Sequence, residues 1–156
     1  AGRGWAFLAV LAASVAADEG RGDQRLIFAA GEGDFEKVAA LLAEGADANA
    51  RTEAGETPLH VAGIKCERRV IKALLAAGAN VNAKTGGGAA LEMPVLHWYV
   101  NMNECGLEQV RLLLEARADL TAVNSRGQTA LDMVSKIASR ADIAAMVGEW
   151  AGRKSE

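Results

Sequence analysis

Apolar and polar residues alternate along the chain in blocks that predict pairs of short helices. Apolar side chains in the segment 70–75 recur at steps of three and four residues, which is typical of one face of a helix. Thr57 and Pro58 introduce a shorter apolar stretch before it, and a capping side chain followed by proline is a common helix start. Gly78 follows the second stretch, where glycine ends many helices in a left-handed conformation. The pattern therefore predicts a helix–turn–helix unit.

The same unit recurs along the chain. Segment 41–51 is repeated at 74–84, an offset of 33, with a double leucine and an Asn-Ala pair in register. Segment 71–80 is repeated at 110–119, an offset of 39, because six residues are inserted into the third unit. Single helical units cannot bury both of their faces, so stacking supplies the core. The repeats divide the chain into four units, at about 22–54, 55–87, 88–126 and 127–150.

The second unit carries the most specific motif. Its segment Thr57–Ala62 reads TPLHVA and resembles the T-P-L-H-x-A signature of the ankyrin repeat, and the offset to the neighbouring unit matches the period of that family. The resemblance implies an all-α fold, an ankyrin-repeat solenoid with finger loops between the units, over residues 18–150, followed by a C-terminal tail at 151–156. The first and fourth units depart from the signature and resemble capping repeats, whose outer faces meet water.

The N-terminal segment has a different composition. Arg3 precedes an apolar stretch that ends in small residues before Asp18, which predicts a secretory signal peptide over residues 1–17 and a periplasmic or secreted protein. The uncharged stretch is shorter than the roughly 17–25 residues of a membrane-spanning helix, so no membrane association is expected after cleavage. The alternative is an N-terminal helix that packs on the repeats.

The third unit is irregular. Four extra residues in the segment 85–95, which includes three consecutive glycines, predict a longer and looser finger loop. Trp98 and Tyr99 stand where the second unit has Val and Ala, so we expect a local displacement that turns one ring towards the concave surface. Arg117 replaces the glycine that ends the outer helix, at a cost of about 1 kcal/mol if the left-handed conformation is kept.

Charge and motifs argue against several functions. The chain has 17 basic and 20 acidic residues, and its net charge of −3 disfavours nucleic acid as a partner. Both histidines, His60 and His97, stand in the Leu-His step of the repeat, where the resemblance implies a structural hydrogen bond between neighbouring turns. Nucleophile elbows and glycine-rich phosphate loops are absent from the sequence. We therefore expect no enzyme activity, no catalytic residue and no cofactor.

The two cysteines allow two interpretations. Cys66 and Cys105 occupy the same inter-helix turn in adjacent units, and a disulfide persists in an oxidising compartment. Equivalent positions of stacked helices lie roughly 8–10 Å apart, beyond the roughly 7 Å limit for a bridge, although the two-residue insertion before Cys105 offers a way to close the gap. The alternative is a pair of free, partly buried thiols. A zinc site shared with the histidines is disfavoured, because His60 and Cys66 bracket one short helix and a tetrahedral site needs its ligands closer together.

The resemblance implies binding of another protein, by a monomer, through the finger loops and the concave face of the inner helices. Trp98 is the expected anchor, with ordinary core packing as its alternative. Two other functions stay open: an exported chaperone or immunity-type protein that shields a specific client, and the disfavoured small enzyme or metal-binding protein. The candidate partner-binding residues are Arg51, Glu53, Glu56, Lys65, Lys84, Trp98, Asn101 and Arg126.

Overall fold

The computed structural model describes residues 22–86 and 92–153. The predicted signal peptide at 1–17 and the centre of the third finger loop lie outside these residues. The described part contains eight α-helices and one 3₁₀ helix: α1 Gly22–Glu32, α2 Phe35–Ala43, α3 Pro58–Ala62, α4 Arg68–Ala76, α5 Val95–Asn101, α6 Leu107–Glu115, α7 Ala130–Val134, the 3₁₀ helix Ala138–Arg140 and α8 Ala141–Arg153.

The helices form two layers. Inner helices α1, α3, α5 and α7 contact one another in chain order, and outer helices α2, α4, α6 and α8 do the same. Each inner helix also packs against the outer helix of its own unit. This arrangement is the all-α solenoid that the resemblance implied. None of the described helices has the length and apolar character needed to cross a membrane.

Local sequence explains where the helices begin. The Thr57 hydroxyl accepts a hydrogen bond from the His60 backbone N–H, and Pro58 occupies the first turn of α3. Thr129 caps α7 in the same way. Asp34 and Glu67 cap the outer helices α2 and α4 through their carboxylates. These caps satisfy N–H groups that have no partner within the helix.

The outer helices end where the repeat predicts. Gly45 and Gly78 follow α2 and α4 with φ angles of 92° and 87°. Arg117 follows α6 with a φ of 67°, so it keeps the left-handed conformation despite its side chain. The last helix differs from expectation: α8 runs to Arg153, beyond the predicted start of the tail at 151, because Trp150 is half-buried and packs on the core.

The core lies between the two layers and follows the repeat. Val38, Ile71 and Val110 hold equivalent positions on successive outer helices, and all three are fully buried. Leu59 and Leu96 hold equivalent positions on the inner helices α3 and α5, and both are buried. Fully burying an aliphatic side chain of this size contributes about 1.5–3 kcal/mol, so the stack is stabilised mainly by these periodic positions.

Candidate partner-binding surface

The finger turn of the second unit is closed by its own side chains. The Thr52 backbone N–H donates to the Glu56 carbonyl at 2.9 Å, and the Thr52 hydroxyl donates to the Glu56 carboxylate at 3.1 Å. Glu56 is only 8% exposed, and burial raises the pKa of its carboxyl. We expected Glu56 to be exposed and to contact a partner, and this expectation is wrong. The Glu56 side chain is buried and forms its hydrogen bond within the turn. Asn124 and Gln128 form the corresponding turn before α7.

Two exposed basic side chains hold neighbouring finger loops together. The Arg51 guanidinium donates to the Lys84 carbonyl at 2.8 Å, and the Lys84 ammonium donates to the Val123 carbonyl at 3.0 Å. The two contacts span 33 and 39 residues, the same offsets as the repeats. Arg51 and Lys84 were both candidates for partner binding, and each has a structural role between units.

Asparagine side chains form a second set of contacts between units. Asn49 accepts from the backbone N–H of Asn80 at 2.6 Å and donates to the Gly78 carbonyl at 3.0 Å. Asn82, one unit later, accepts from the backbone N–H of Asp119 at 2.7 Å. Each asparagine thus satisfies backbone groups at the end of the next outer helix, where intrahelical partners are lacking.

Both histidines also connect successive units. The His60 Nε2 lies 3.0 Å from the Met93 carbonyl, while its Nδ1 accepts from the Thr57 backbone N–H at 3.2 Å. This geometry selects the neutral ring protonated on Nε2, and burial lowers the pKa of His60 from 6.5 to about 4. His97 repeats the contact with the Gln128 carbonyl at 2.8 Å, and burial lowers its pKa as well.

Trp98 and Tyr99 are accommodated inside the stack. Trp98 is 9% exposed, and its ring meets His60 edge-on with the ring centroids 5.7 Å apart. Tyr99 is fully buried. A Cβ atom on Gly63 would lie 2.9 Å from the Trp98 ring and 3.1 Å from the Tyr99 ring, so a missing side chain in the second unit creates their space. The expected anchor role of Trp98 is thus corrected to core packing.

The inter-helix turns meet at the edge opposite the fingers. The structure pairs Cys66 with Cys105 in a disulfide, with their Cα atoms 5.2 Å apart. This separation is shorter than the spacing expected of equivalent positions in stacked helices, and Cys105 follows the two-residue insertion. Cys66 has a φ of 51°, and Gly33 holds the equivalent position in the first unit with a φ of 71°.

A buried arginine lies behind the bridge. Arg140, from the 3₁₀ helix of the fourth unit, is 5% exposed. Its guanidinium donates to the carbonyls of Met102 and Cys105 at 2.5 Å and to the Tyr99 carbonyl at 3.4 Å. These carbonyls end α5 or follow it, and a cation is favourable at a helix C-terminus. The sequence had drawn no attention to Arg140.

The family comparison agrees with this geometry. A family model described as ankyrin repeats, in three copies, matches residues 6–85, just over half of the chain. The chain belongs to the ankyrin repeat family. Ankyrin repeats generally mediate protein–protein interaction and are generally non-enzymatic modules. No curated protein matches the chain.

Four candidate residues of this ankyrin array have exposed side chains and are not among the residues that hold neighbouring units together. Glu53 lies in the tip of the second finger and Arg126 in that of the fourth, whereas Lys65 and Asn101 follow or end the inner helices α3 and α5. The apolar side chain of Val123, 39% exposed, lies beside the fourth finger turn. In residues 22–86 and 92–153, no group of three His, Cys, Asp or Glu side chains is placed to hold a metal ion.

Proposed function

We propose that this ankyrin protein binds a partner protein through a surface that runs from its finger tips along its inner helices to their far ends. The chain belongs to a family that generally mediates protein–protein interaction. The observation that carries the proposal is that its side chains fall into two groups, one that holds the units together and one that stays exposed. Buried or hydrogen-bonded residues hold the units together, whereas Glu53, Lys65, Asn101 and Arg126 remain exposed.

The chemistry of this surface favours a mixed polar partner. Glu53 is acidic, while Lys65 and Arg126 are basic, so both signs of charge are presented along the array. Val123 adds an exposed apolar contact beside the fourth finger. Protein interfaces commonly combine apolar contacts with a polar rim, and charge complementarity mainly sets specificity and association rate.

Charge reversal tests the proposal. The double variant Glu53→Arg/Arg126→Glu should lose the proteins that the wild-type chain captures from an extract of its source cells. Arg111→Glu is the control, because Arg111 is exposed on the outer helix α6, away from the fingers. Capture is quantified by mass spectrometry after the thermal midpoints of all chains have been matched. If the double variant captured the same proteins as Arg111→Glu, binding would not use the finger tips.

Export is a separate proposal that depends on the N-terminal sequence alone. The small residues before Asp18 favour cleavage at that point. Mass spectrometry of the protein from the periplasmic or culture fraction should therefore find Asp18, or a residue next to it, at the N-terminus. An intact N-terminus confined to the cytosolic fraction would contradict export.

A further inference from the structure

The first unit presents an open groove on the face that begins the stack. The groove lies between α1 and α2, has a volume of about 270 Å³ and is mainly apolar. Its lining residues are Arg25, Phe28, Ala29, Lys37, Ala40, Leu41 and Glu44. In the second unit, the equivalent face packs against the first unit, because α3 contacts α1 and α4 contacts α2. The groove is therefore where the helices of a preceding unit would lie.

Among residues 22–86 and 92–153, nothing covers the apolar surface of this groove as the first unit covers the equivalent surface of the second. Phe28 is half-buried, whereas Val61, which holds the same position in the second unit, is fully buried. Charged residues stand at the rim, since Lys37 and Glu44 replace Val70 and Ala77 of the second unit. The long stems of such side chains cover apolar surface while their charges stay in water. An uncharged, apolar occupant suits a groove of this kind.

The chain itself holds such a segment directly before α1. Residues 5–17 carry no charge, and the ankyrin family match begins at residue 6, before the first complete unit. One repeat period before the first unit, Ala6, Leu8, Ala13 and Ala17 are identical to Ala39, Leu41, Ala46 and Ala50. Leu8 thus takes the register of Leu41 and Leu74, which are buried core residues of α2 and α4.

The N-terminus of α1, to which this segment is attached, lies close to the groove. The backbone N–H of Asp47 donates to the Asp23 carboxylate at 2.8 Å, so α1 begins beside the end of α2. The residues between Ala17 and Gly22 can span about 17 Å when extended. Arg25 and Ala29, on the α1 side of the groove, lie within roughly 10 Å of Gly22 along the helix axis. The segment can therefore reach the groove without unfolding α1.

We propose that residues 5–17, in the chain that retains them, occupy this groove in the register of residues 38–50. Residues 5–10 then take the place of the outer helix of a preceding ankyrin unit, and residues 11–17 that of the turn after it. The segment then covers Phe28 and closes the first face of the stack. Cleavage before Asp18 would remove this cover and open the groove. The proposal is independent of the partner-binding surface, which lies on the fingers and the inner helices.

Amide exchange on the purified, uncleaved 156-residue chain tests the proposal. Leu8→Asp places a charge at a core register and should speed exchange of the amides in residues 6–17 by about tenfold or more. Leu11→Asp is the matched control: it makes the same chemical change, but Leu11 has the register of Glu44 and Ala77, both exposed. It should leave exchange in the segment near the wild-type rate.

A change on the groove side completes the test. Ala40 is exposed in the described residues, so Ala40→Glu should leave the fold intact. It should speed amide exchange in residues 6–17 as much as Leu8→Asp does, because it places a charge in the groove. Unprotected amides at 6–17 in the wild-type chain would overturn the proposal. So would equal effects of Leu8→Asp and Leu11→Asp, or a segment that stays protected in Ala40→Glu.

Discussion

The hydroxyl of Tyr99 donates a 2.8 Å hydrogen bond to the backbone carbonyl of Leu59 in the preceding unit. Within α3, the donor for this carbonyl would be the N–H of Gly63, four residues later. That N–H instead bonds the His60 carbonyl at 3.0 Å, because the helix tightens at its end. Tyr99 therefore satisfies a buried carbonyl that its own helix leaves without a donor.

Tyr99→Phe should lower the free energy of unfolding by about 1–3 kcal/mol, because it strands this buried carbonyl while keeping the ring. Urea denaturation of the variant and the wild-type chain measures the difference. An unchanged circular dichroism spectrum is the control for an intact fold. A midpoint equal to that of the wild type would show that the Leu59 carbonyl finds another donor.

The bridge between Cys66 and Cys105 should add stability through the loop it closes. For a sequence separation of 39 residues, loop-closure entropy gives about 4 kcal/mol. Unfolding with and without dithiothreitol measures this difference. Thiol titration of the denatured, unreduced protein should find no reactive thiol, and two reactive thiols would rule the bridge out.

Cys66 also holds a left-handed backbone conformation that an L-residue adopts at a cost. Cys66→Gly and Cys66→Ala both remove the bridge and leave Cys105 as a free thiol. Cys66→Gly should nevertheless be more stable by about 1 kcal/mol, because glycine adopts positive φ without steric penalty, as Gly33 does one unit earlier. The two variants are compared by denaturation under reducing conditions. Equal stability would mean that the turn relaxes when the bridge is absent.

The stability of the protein should fall in mild acid. The pKa of His60 in the folded chain is about 4, below its ordinary value of 6.5, so the unfolded chain takes up the proton first. The contribution of neutral His60 is complete above pH 6.5 and is lost as the pH falls towards 4, by on the order of 3 kcal/mol. Denaturation at several pH values measures the slope.

His60→Asn supplies the control for this pH dependence. Asparagine does not titrate, so the variant should lack the part of the slope that His60 contributes. His97 accounts for part of the remaining slope, because burial lowers its pKa too. The same slope in His60→Asn and the wild type would contradict the assignment to His60.

The sequence predicted the features that follow from local rules. Thr57 and Pro58 begin α3 as expected, Gly78 ends its partner helix, and His60 connects neighbouring units. These residues repeat at a fixed period and each has a short-range physical reason. The four-unit stack could therefore be predicted without knowledge of distant contacts.

Features that depend on two units at once were harder to predict. Trp98 was expected to face a partner, but Gly63 in the preceding unit provides the space that buries it. Arg51 and Lys84 were interpreted as partner contacts, although basic residues at the same register in consecutive units were a detectable sign of a structural role. Arg140 could not be recognised, because its carbonyl acceptors become neighbours only after the third unit has folded.

The link between Cys66 and Cys105 gives the array a middle section of fixed length. Repeat arrays open and reclose from their ends, since each unit is held only by its neighbours. Here the second and third units are joined covalently on the edge opposite the fingers, so fraying that starts at either end cannot separate these two units. The fingers of the second and third units therefore stay on covalently joined units even when the outer units open.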